Sequence, residues 1–385
     1  MIRSNAETIP FNKASFVGNE QTYIAQAIAN RHISGDGPFT RRVQAFLESD
    51  LGVGRVLLTT SCTHALEMSA LLLDIEPGDE VILPSFTFVS TVNAFALRGA
   101  VPVFVDIRPD TLNIDENLLR AAITPRTKAI VVVHYAGVAC EMDAICAIAG
   151  AANIPVIEDN AHGLFGSYRG RPLGSFGVLA TQSFHETKNF TCGEGGALLL
   201  NDPQYIERAE ILREKGTNRA RFFRGQVDKY TWVDVGSSYV PSELLAAFLA
   251  AQFEGKSEVQ AARAAIWNRY NEALAGWATQ QNIQLPSVPA HCEQAYHMFY
   301  ILLPSLSERT RFIEHLKERN INAVFHYVPL HSAPEAVRLN ARGDCPVTQD
   351  VSERLVRLPF YRELTSIEQQ RVIDAVKAFS TRLAA

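Results

Sequence analysis

Between residues 56 and 200 short apolar runs alternate with longer segments of helical periodicity, and this alternation restricts the possible folds more than any other feature of the chain. Val56-Leu57-Leu58, Glu80 to Pro84, Pro102 to Val105, Ala129 to Val133, Pro155 to Asp159, the run around Val178 and Ala197 to Leu200 have the length and composition of strands. Ala65 to Leu73, Thr91 to Arg98, 115 to 123 and 141 to 152 have the longer period of helices, with Pro77-Gly78-Asp79 and Gly99 as punctuation. Strands this short and apolar are buried on both faces, so helices must cover both. The expected fold class is α/β, with an open, mostly parallel sheet between helices.

Outside that stretch, 20 to 31 and Arg41 to Leu51 read as helices around a turn at 33 to 40. Residues 203 to 214 are helical, 216 to 239 are polar, and 241 to 280 form a long helix or helix pair. After Pro286 and Pro289 the pattern changes to a strand at Met298 to Leu303, a helix at Ser307 to Arg319, a strand at Ala323 to Tyr327 and an amphipathic helix at Ser366 to Phe379. The chain has 385 residues, more than the ~250–300 at which single cores stop growing. A large domain with an N-terminal segment is therefore expected over 1–240, linking helices over 241–285, and a smaller C-terminal α/β domain over 286–385.

With 36 basic and 41 acidic side chains the formal charge is −5, which gives no bias toward nucleic acid or an anionic membrane. No run approaches the ~20 apolar residues of a membrane span or the pattern of a secretory signal, so the expected location is the cytoplasm. Cys62, Cys140, Cys146, Cys192, Cys292 and Cys345 are scattered without a C-x-x-C pair, a pattern of reduced thiols rather than of disulfides or a structural metal site.

Lys188 lies in a short polar loop, 183 to 196, between two apolar runs. A lysine at a strand end can lose solvation, lower its pKa and form a Schiff base with a carbonyl; an ordinary solvated loop lysine has the same local sequence. Thr59 to Thr63 joins small hydroxyl residues to a helix start, which suits a phosphate and equally a simple N-cap. Asp159 ends a strand beside Glu158, and side-chain alternation sends the two apart. Near a pyridine ring Asp159 would keep its nitrogen protonated, with His162 as an edge contact and Phe88 as a stacking face. The plain alternatives are a helix cap for Asp159 and core packing for Phe88.

Thr60 to Thr63, Pro84 to Thr91, Ile157 to Gly163 and Ser183 to Asn189, in this order, resemble the pyridoxal 5'-phosphate (PLP) dependent family of aspartate aminotransferase-like fold (fold type I) that transfers amino groups to nucleotide-linked keto sugars, over about residues 8 to 380. Arg213 to Arg219 and Phe222 to Trp232 are similar to the branch that makes dTDP-4-amino-4,6-dideoxygalactose for enterobacterial common antigen, within lipopolysaccharide biosynthesis. The resemblance implies PLP as cofactor, Lys188 as its Schiff-base lysine and Asp159 as partner of the pyridine nitrogen. It places Phe88 on the ring, Ser61, Cys62, Thr63 and Ser183 at the phosphate, and His162, where the family often has glutamine, beside the phenolic oxygen. Ser238 stands where the family has an inter-subunit asparagine. Arg219, Arg221, Arg224 and Lys229, with Tyr327 and His331, become candidates for the substrate, the arginines having a dimer salt-bridge surface as rival. The implied reaction moves the amino group of L-glutamate to C4 of dTDP-4-keto-6-deoxy-D-glucose in a homodimer or dimer of dimers, without a metal. Production of the gluco epimer, use of a UDP sugar, a related dehydratase and a non-catalytic PLP-fold protein are the alternatives; the dehydratases usually carry histidine where Lys188 stands.

Overall fold

Each strand of the main sheet presents apolar side chains to both faces, and this decides the architecture. The computed structural model describes residues 7–381, so the first six residues of the expected large domain and the last four of the expected small domain lie outside the described residues. In chain order the strands of the first unit are β1 (Arg55–Thr59), β2 (Glu80–Pro84), β3 (Val101–Val105), β4 (Thr127–Val133), β5 (Val156–Asp159), the two-residue β6 (Ser167–Tyr168) and β7 (Arg171–Pro172), β8 (Leu179–Ser183) and β9 (Gly196–Leu200). All but β6 and β7 form a seven-stranded sheet in the order β1-β9-β8-β5-β4-β2-β3. The pairs from β8 to β3 are parallel, whereas β9 runs antiparallel to both β8 and β1.

The helices of this unit are α1 (Glu20–Ala29), α2 (Pro38–Leu51), α3 (Cys62–Leu72), α4 (Val89–Ala96), α5 (Glu116–Ala122), α6 (Met142–Ala151), α7 (Ile206–Arg213), α8 (Arg219–Phe223) and α9 (Glu243–Glu254). Leu57, Leu198 and Leu200 pack with α3, α4 and α7 on one face. Their neighbours Val56, Leu58 and Leu199 pack with α2 and α9 on the other, and Ile82, Ile130 and Val132 pack with α5 and α6. A one-residue slip would exchange these two cores, so the register is strongly specified.

Helix α10 (Lys256–Gln280) leads into the second unit, which contains β10 (Cys292–Glu293), α11 (Leu306–Lys317), α12 (Pro334–Arg338), α13 (Pro346–Arg354) and α14 (Ser366–Lys377). Its two-stranded sheet pairs β11 (Tyr300–Leu302) with β12 (Leu355–Arg357), and its core joins Trp267, Tyr270, Phe299, Ile301, Phe312, Val372 and Val376. Strand β10 pairs with β6, and Phe86, Tyr135, Met298, Tyr300 and Leu355 form a shared cluster between the units.

Helix α3 begins at Cys62 instead of Ala65, with Ser61 as its N-cap, and two further expectations change. Helix α2 begins at Pro38 instead of Arg41, because proline suits the first helical position, where its missing N–H is not needed. Ala323 to Tyr327 is not a strand: only Val324 bridges to Arg357, and the rings of the consecutive His326 and Tyr327 stack at 3.6 Å. Alternation along a strand would send those two side chains to opposite faces, so the chain has left β geometry there.

Candidate active site

Because β1, β2, β4, β5 and β8 share one direction, their C-terminal ends meet at one edge of the sheet, the edge where α/β proteins gather their sites. Glu158 and Asp159 part there as alternation requires. Glu158 turns inward and accepts from His134 Nε2 at 2.9 Å and from the N–H groups of Gly174, Phe176 and Gly177 at 2.8, 2.6 and 2.7 Å, which is structural work. Asp159 faces the sheet edge. It accepts from Thr91 Oγ1 at 2.8 Å and from Ala161 N–H at 3.2 Å, and burial pushes its carboxyl above the usual range against those two bonds and the Lys188 charge. No helix follows Asp159, so helix capping does not account for it.

Lys188 sits in the loop between β8 and β9, with its N–H donating to His185 carbonyl at 2.9 Å. The residue is half-buried. Burial lowers its pKa, Cys62 and Asp159 oppose the shift, and the Arg357 charge adds to it. Burial also drives the Cys62 thiol far above its usual range, so Asp159 is the real counter-charge. Lys188 therefore has a carboxylate close by and a reduced cost for losing its proton.

The residues predicted for a phosphate converge at the start of α3. Ser61 is the N-cap, its Oγ accepting from His64 N–H at 3.1 Å; Cys62 Sγ lies 3.5 Å from Thr181 Oγ1, and Thr63 Oγ1 donates to Ser90 Oγ at 2.8 Å. Ser183 is the register partner of Gly196, and a Cβ on Gly196 would come within 2.3 Å of the Ser61 carbonyl carbon. Only glycine permits that close packing of β9 under the turn. Ser238 is exposed; its neighbour Tyr239 accepts from Thr60 N–H at 2.9 Å and packs its ring on His64, at 5.2 Å.

The second unit supplies a wall that sequence reasoning largely missed. His162 stacks on His297 at 4.1 Å and lies 3.4 Å, through Nε2, from Tyr327 Oη; His326 Nδ1 lies 2.7 Å from Tyr135 Oη. Burial holds His162, His297 and His326 well below the usual histidine range, with Lys188 adding its charge in each case, so all three rings are neutral. His162 Nδ1 is sealed from solvent and has no hydrogen-bond partner among the described residues. Phe88, 58% exposed, stands 6.5 Å from the Tyr327 ring with its face open, so core packing does not explain it. His331 is bound to Ser85, Nδ1 to Oγ at 2.7 Å. The sequence signal for the missed residues was weak: a histidine inside the apolar runs Ala295 to Leu303 and Ala323 to Tyr327.

The arginine-bearing segment is exposed and paired within its own chain. Arg224 meets Glu210 at 2.7 Å, Arg221 meets Glu207 at 3.2 Å and Arg219 meets Glu214 at 4.0 Å, while Lys229 is exposed. Arg219 also lies over the rings of Phe223 and Tyr230, at 5.0 and 6.0 Å.

Residues 15–377 match the model of the DegT/DnrJ/EryC1/StrS aminotransferase family. The chain belongs to that family. It is a PLP-dependent aminotransferase of fold type I. An uncharacterized protein of Methanocaldococcus jannaschii is 35% identical over 353 residues, 89% of this chain and 90% of its own length. The aminotransferase TlmJ from Streptoalloteichus hindustanus superposes with a TM-score of 0.89 at 29% identity, over 96% of this chain and 98% of that one. DesV of S. venezuelae gives 0.88 at 29% identity, over 98% and 100%. A sugar aminotransferase of Streptococcus pneumoniae in its PLP form gives 0.87 at 27% identity, over 96% and 98%.

The residues gathered at the sheet edge fit the cofactor. It carries an aldehyde, a pyridine nitrogen, a phenolic oxygen and a phosphate. Facing these requirements are one depressed amine, Lys188; one buried carboxylate, Asp159; one sealed and unpartnered ring nitrogen, His162 Nδ1; and a glycine-packed turn with hydroxyls at a helix start.

Proposed function

We propose that the enzyme transfers the amino group of L-glutamate to C4 of dTDP-4-keto-6-deoxy-D-glucose, giving dTDP-4-amino-4,6-dideoxy-D-galactose and 2-oxoglutarate. The observation that carries the acceptor class is the 217–232 surface, where Arg219, Arg221 and Arg224 lie among Phe222, Phe223, Tyr230 and Trp232, the last 75% exposed. Aromatic faces and guanidinium forks on one surface suit a thymine carrying a diphosphate. Large exposed aromatics also mark an association surface, and the reading takes the active form as a homodimer or dimer of dimers in which this segment reaches a neighbouring site. No helix among the described residues is long and apolar enough to cross a membrane.

Bound at the sheet edge, PLP supplies an aldehyde that accepts an amine and a ring that draws electrons from the adjoining carbon. Lys188 would hold that aldehyde carbon, and its amine, when free, would be the base that takes the proton from the donor α-carbon. The keto sugar then uses the same amine in the opposite order, so one lysine serves both halves. Asp159 would hold a proton on the ring nitrogen, neutral His162 would serve the phenolic oxygen, and Phe88 would serve the ring face. Ser61, Cys62, Thr63 and Ser183 would hold the phosphate, with Ser238 reaching it from a neighbouring copy, and Tyr327 and His331 would serve the substrate.

The test is NMR analysis of the product formed by purified protein, PLP, L-glutamate and dTDP-4-keto-6-deoxyglucose. The H3–H4 coupling distinguishes an axial from an equatorial C4 amine, and a UDP-4-keto sugar run alongside tests the base. An axial amine on the dTDP sugar is expected; an equatorial amine would replace the assigned product, preference for the UDP sugar would replace the assigned acceptor, and no amination of either would overturn both.

A further inference from the structure

The loop that carries Lys188 has an exposed tip at Glu186 and Thr187, so something else must return the amine to one position in every cycle. Asn189, the next residue, is buried, and both ends of its amide are bound to one short segment of the second unit: Nδ2 donates to Ala295 carbonyl at 2.6 Å, and Oδ1 lies 3.0 Å from His297 Nδ1. Since Nδ2 is the donor to a carbonyl, Oδ1 is the acceptor, and His297 must carry its proton on Nδ1. The segment is itself fixed. Arg263 of α10 donates to Tyr296 and His297 carbonyls at 2.9 and 2.6 Å, Ala295 N–H donates to Gly137 carbonyl at 2.9 Å, and Tyr296 is held at φ 52°, a left-handed conformation a tyrosine seldom adopts. Strain kept by this many bonds belongs to a site that needs one geometry. The His297 ring also stacks on His162, at 4.1 Å and 16°.

We infer that residues 295–297 form a clamp in which His297 is a positioning residue, its Nδ1–H fixing Asn189 and through it the Lys188 amine. The inference rests on Lys188 being the proton carrier of the proposed function. It differs from a role in binding either substrate: loss of the clamp lowers both half reactions by the same factor, because both use the one amine.

Two variants separate hydrogen bonding from packing. His297→Phe keeps a ring against His162 and loses the donor; His297→Asn loses the ring and keeps a donor at the Nδ1 position. His297→Phe is expected to slow single turnover with L-glutamate and with the keto sugar equally, by roughly 10- to 100-fold, the range that about 1 Å of misplacement produces. The KM for glutamate should stay within roughly threefold, and His297→Asn should recover most of the loss. A second readout uses the cofactor-free protein: the rate at which an amine-labelling reagent modifies Lys188 across pH, read by mass spectrometry, should change in His297→Phe and return toward wild type in His297→Asn. Thermal unfolding of each variant reports stability separately. If Lys188→Ala is inactive while His297→Phe leaves both readouts unchanged, or if asparagine fares worse than phenylalanine, the clamp is overturned and the lysine assignment stands. If Lys188→Ala retains turnover, the assignment itself fails.

Discussion

Replacing Asp159 with asparagine separates what this residue does for the reaction from what it costs the fold. The carboxylate is 5% exposed and accepts from Thr91 Oγ1 and Ala161 N–H at 2.8 and 3.2 Å. An amide fits the same space: Nδ2 can donate to Thr91 Oγ1, whose hydroxyl then turns to Thr87 Oγ1 at 2.8 Å, while Oδ1 keeps Ala161 N–H. What disappears is one negative charge. At ~4 Å and an effective dielectric near ~20, that charge stabilises a cation by ~4 kcal/mol, which corresponds to roughly a thousandfold in rate. The donor half reaction, followed by stopped-flow absorbance at saturating PLP, should slow by that order. In the cofactor-free protein the effect reverses. Burial raises the Asp159 pKa in the folded state above its ordinary 3.8, so the folded chain binds the proton more tightly than the unfolded one, and the penalty for charging it grows as pH climbs from 3.8 through the raised value. At neutral pH cofactor-free Asp159→Asn should therefore unfold at a higher denaturant midpoint than wild type, with the gap closing on acidification. A half-reaction rate within about tenfold of wild type would refute the charge argument; a less stable cofactor-free variant at neutral pH would refute the burial argument.

Lys188→Ala should abolish both half reactions and, since the buried amine is costly to keep charged, raise the stability of the cofactor-free protein at neutral pH; loss of folded protein in circular dichroism would show the lysine to be structural instead. Arg224→Ala removes an exposed ion pair with Glu210 and should cost ~0–1 kcal/mol of stability. It should weaken the sugar-nucleotide half reaction and leave the glutamate half reaction intact, and equal losses in the two would assign Arg224 to the dimer or the cofactor. Arg357 has no carboxylate within salt-bridge distance among the described residues, and its Nε is sealed without a partner. Arg357→Gln should let the Lys188 amine rise toward its ordinary pKa, seen as slower labelling of Lys188 at a fixed alkaline pH in the cofactor-free protein; an unchanged or faster rate would rule out the electrostatic link.

The sheet was readable because its physics is local. Two-sided burial makes each strand an apolar run, and alternation along β5 was enough to foresee that Glu158 and Asp159 would part. For Lys188, Cys62 and Asp159 the local sequence left a solvated lysine, a plain N-cap and a helix cap as equally open readings, and the family resemblance singled them out. Ala323 to Tyr327 misled because its composition is that of a strand, while its conformation is set by contacts far away in sequence. Tyr135 and His326 are 191 positions apart, Asn189 and His297 108. No periodicity encodes such pairs, and α12 and β12 went unread because a helix of five residues and a strand of three are too short to show a period.

What the second unit contributes is chiefly the removal of alternative proton carriers. Three imidazoles lie around one amine, and in water each would titrate near ~6.5 and compete with it for protons near neutrality. Here His162, His297 and His326 are stacked, buried and exposed to the positive charge of Lys188, with Arg357 facing His162 and His326 and Arg263 facing His297, and all these influences act in the same direction. The nearby Tyr327 hydroxyl is displaced the other way, above its usual range, by burial. On the proposed mechanism the histidines and the tyrosine then orient and pack without exchanging protons, and Lys188, poised between burial and Asp159, serves as the base.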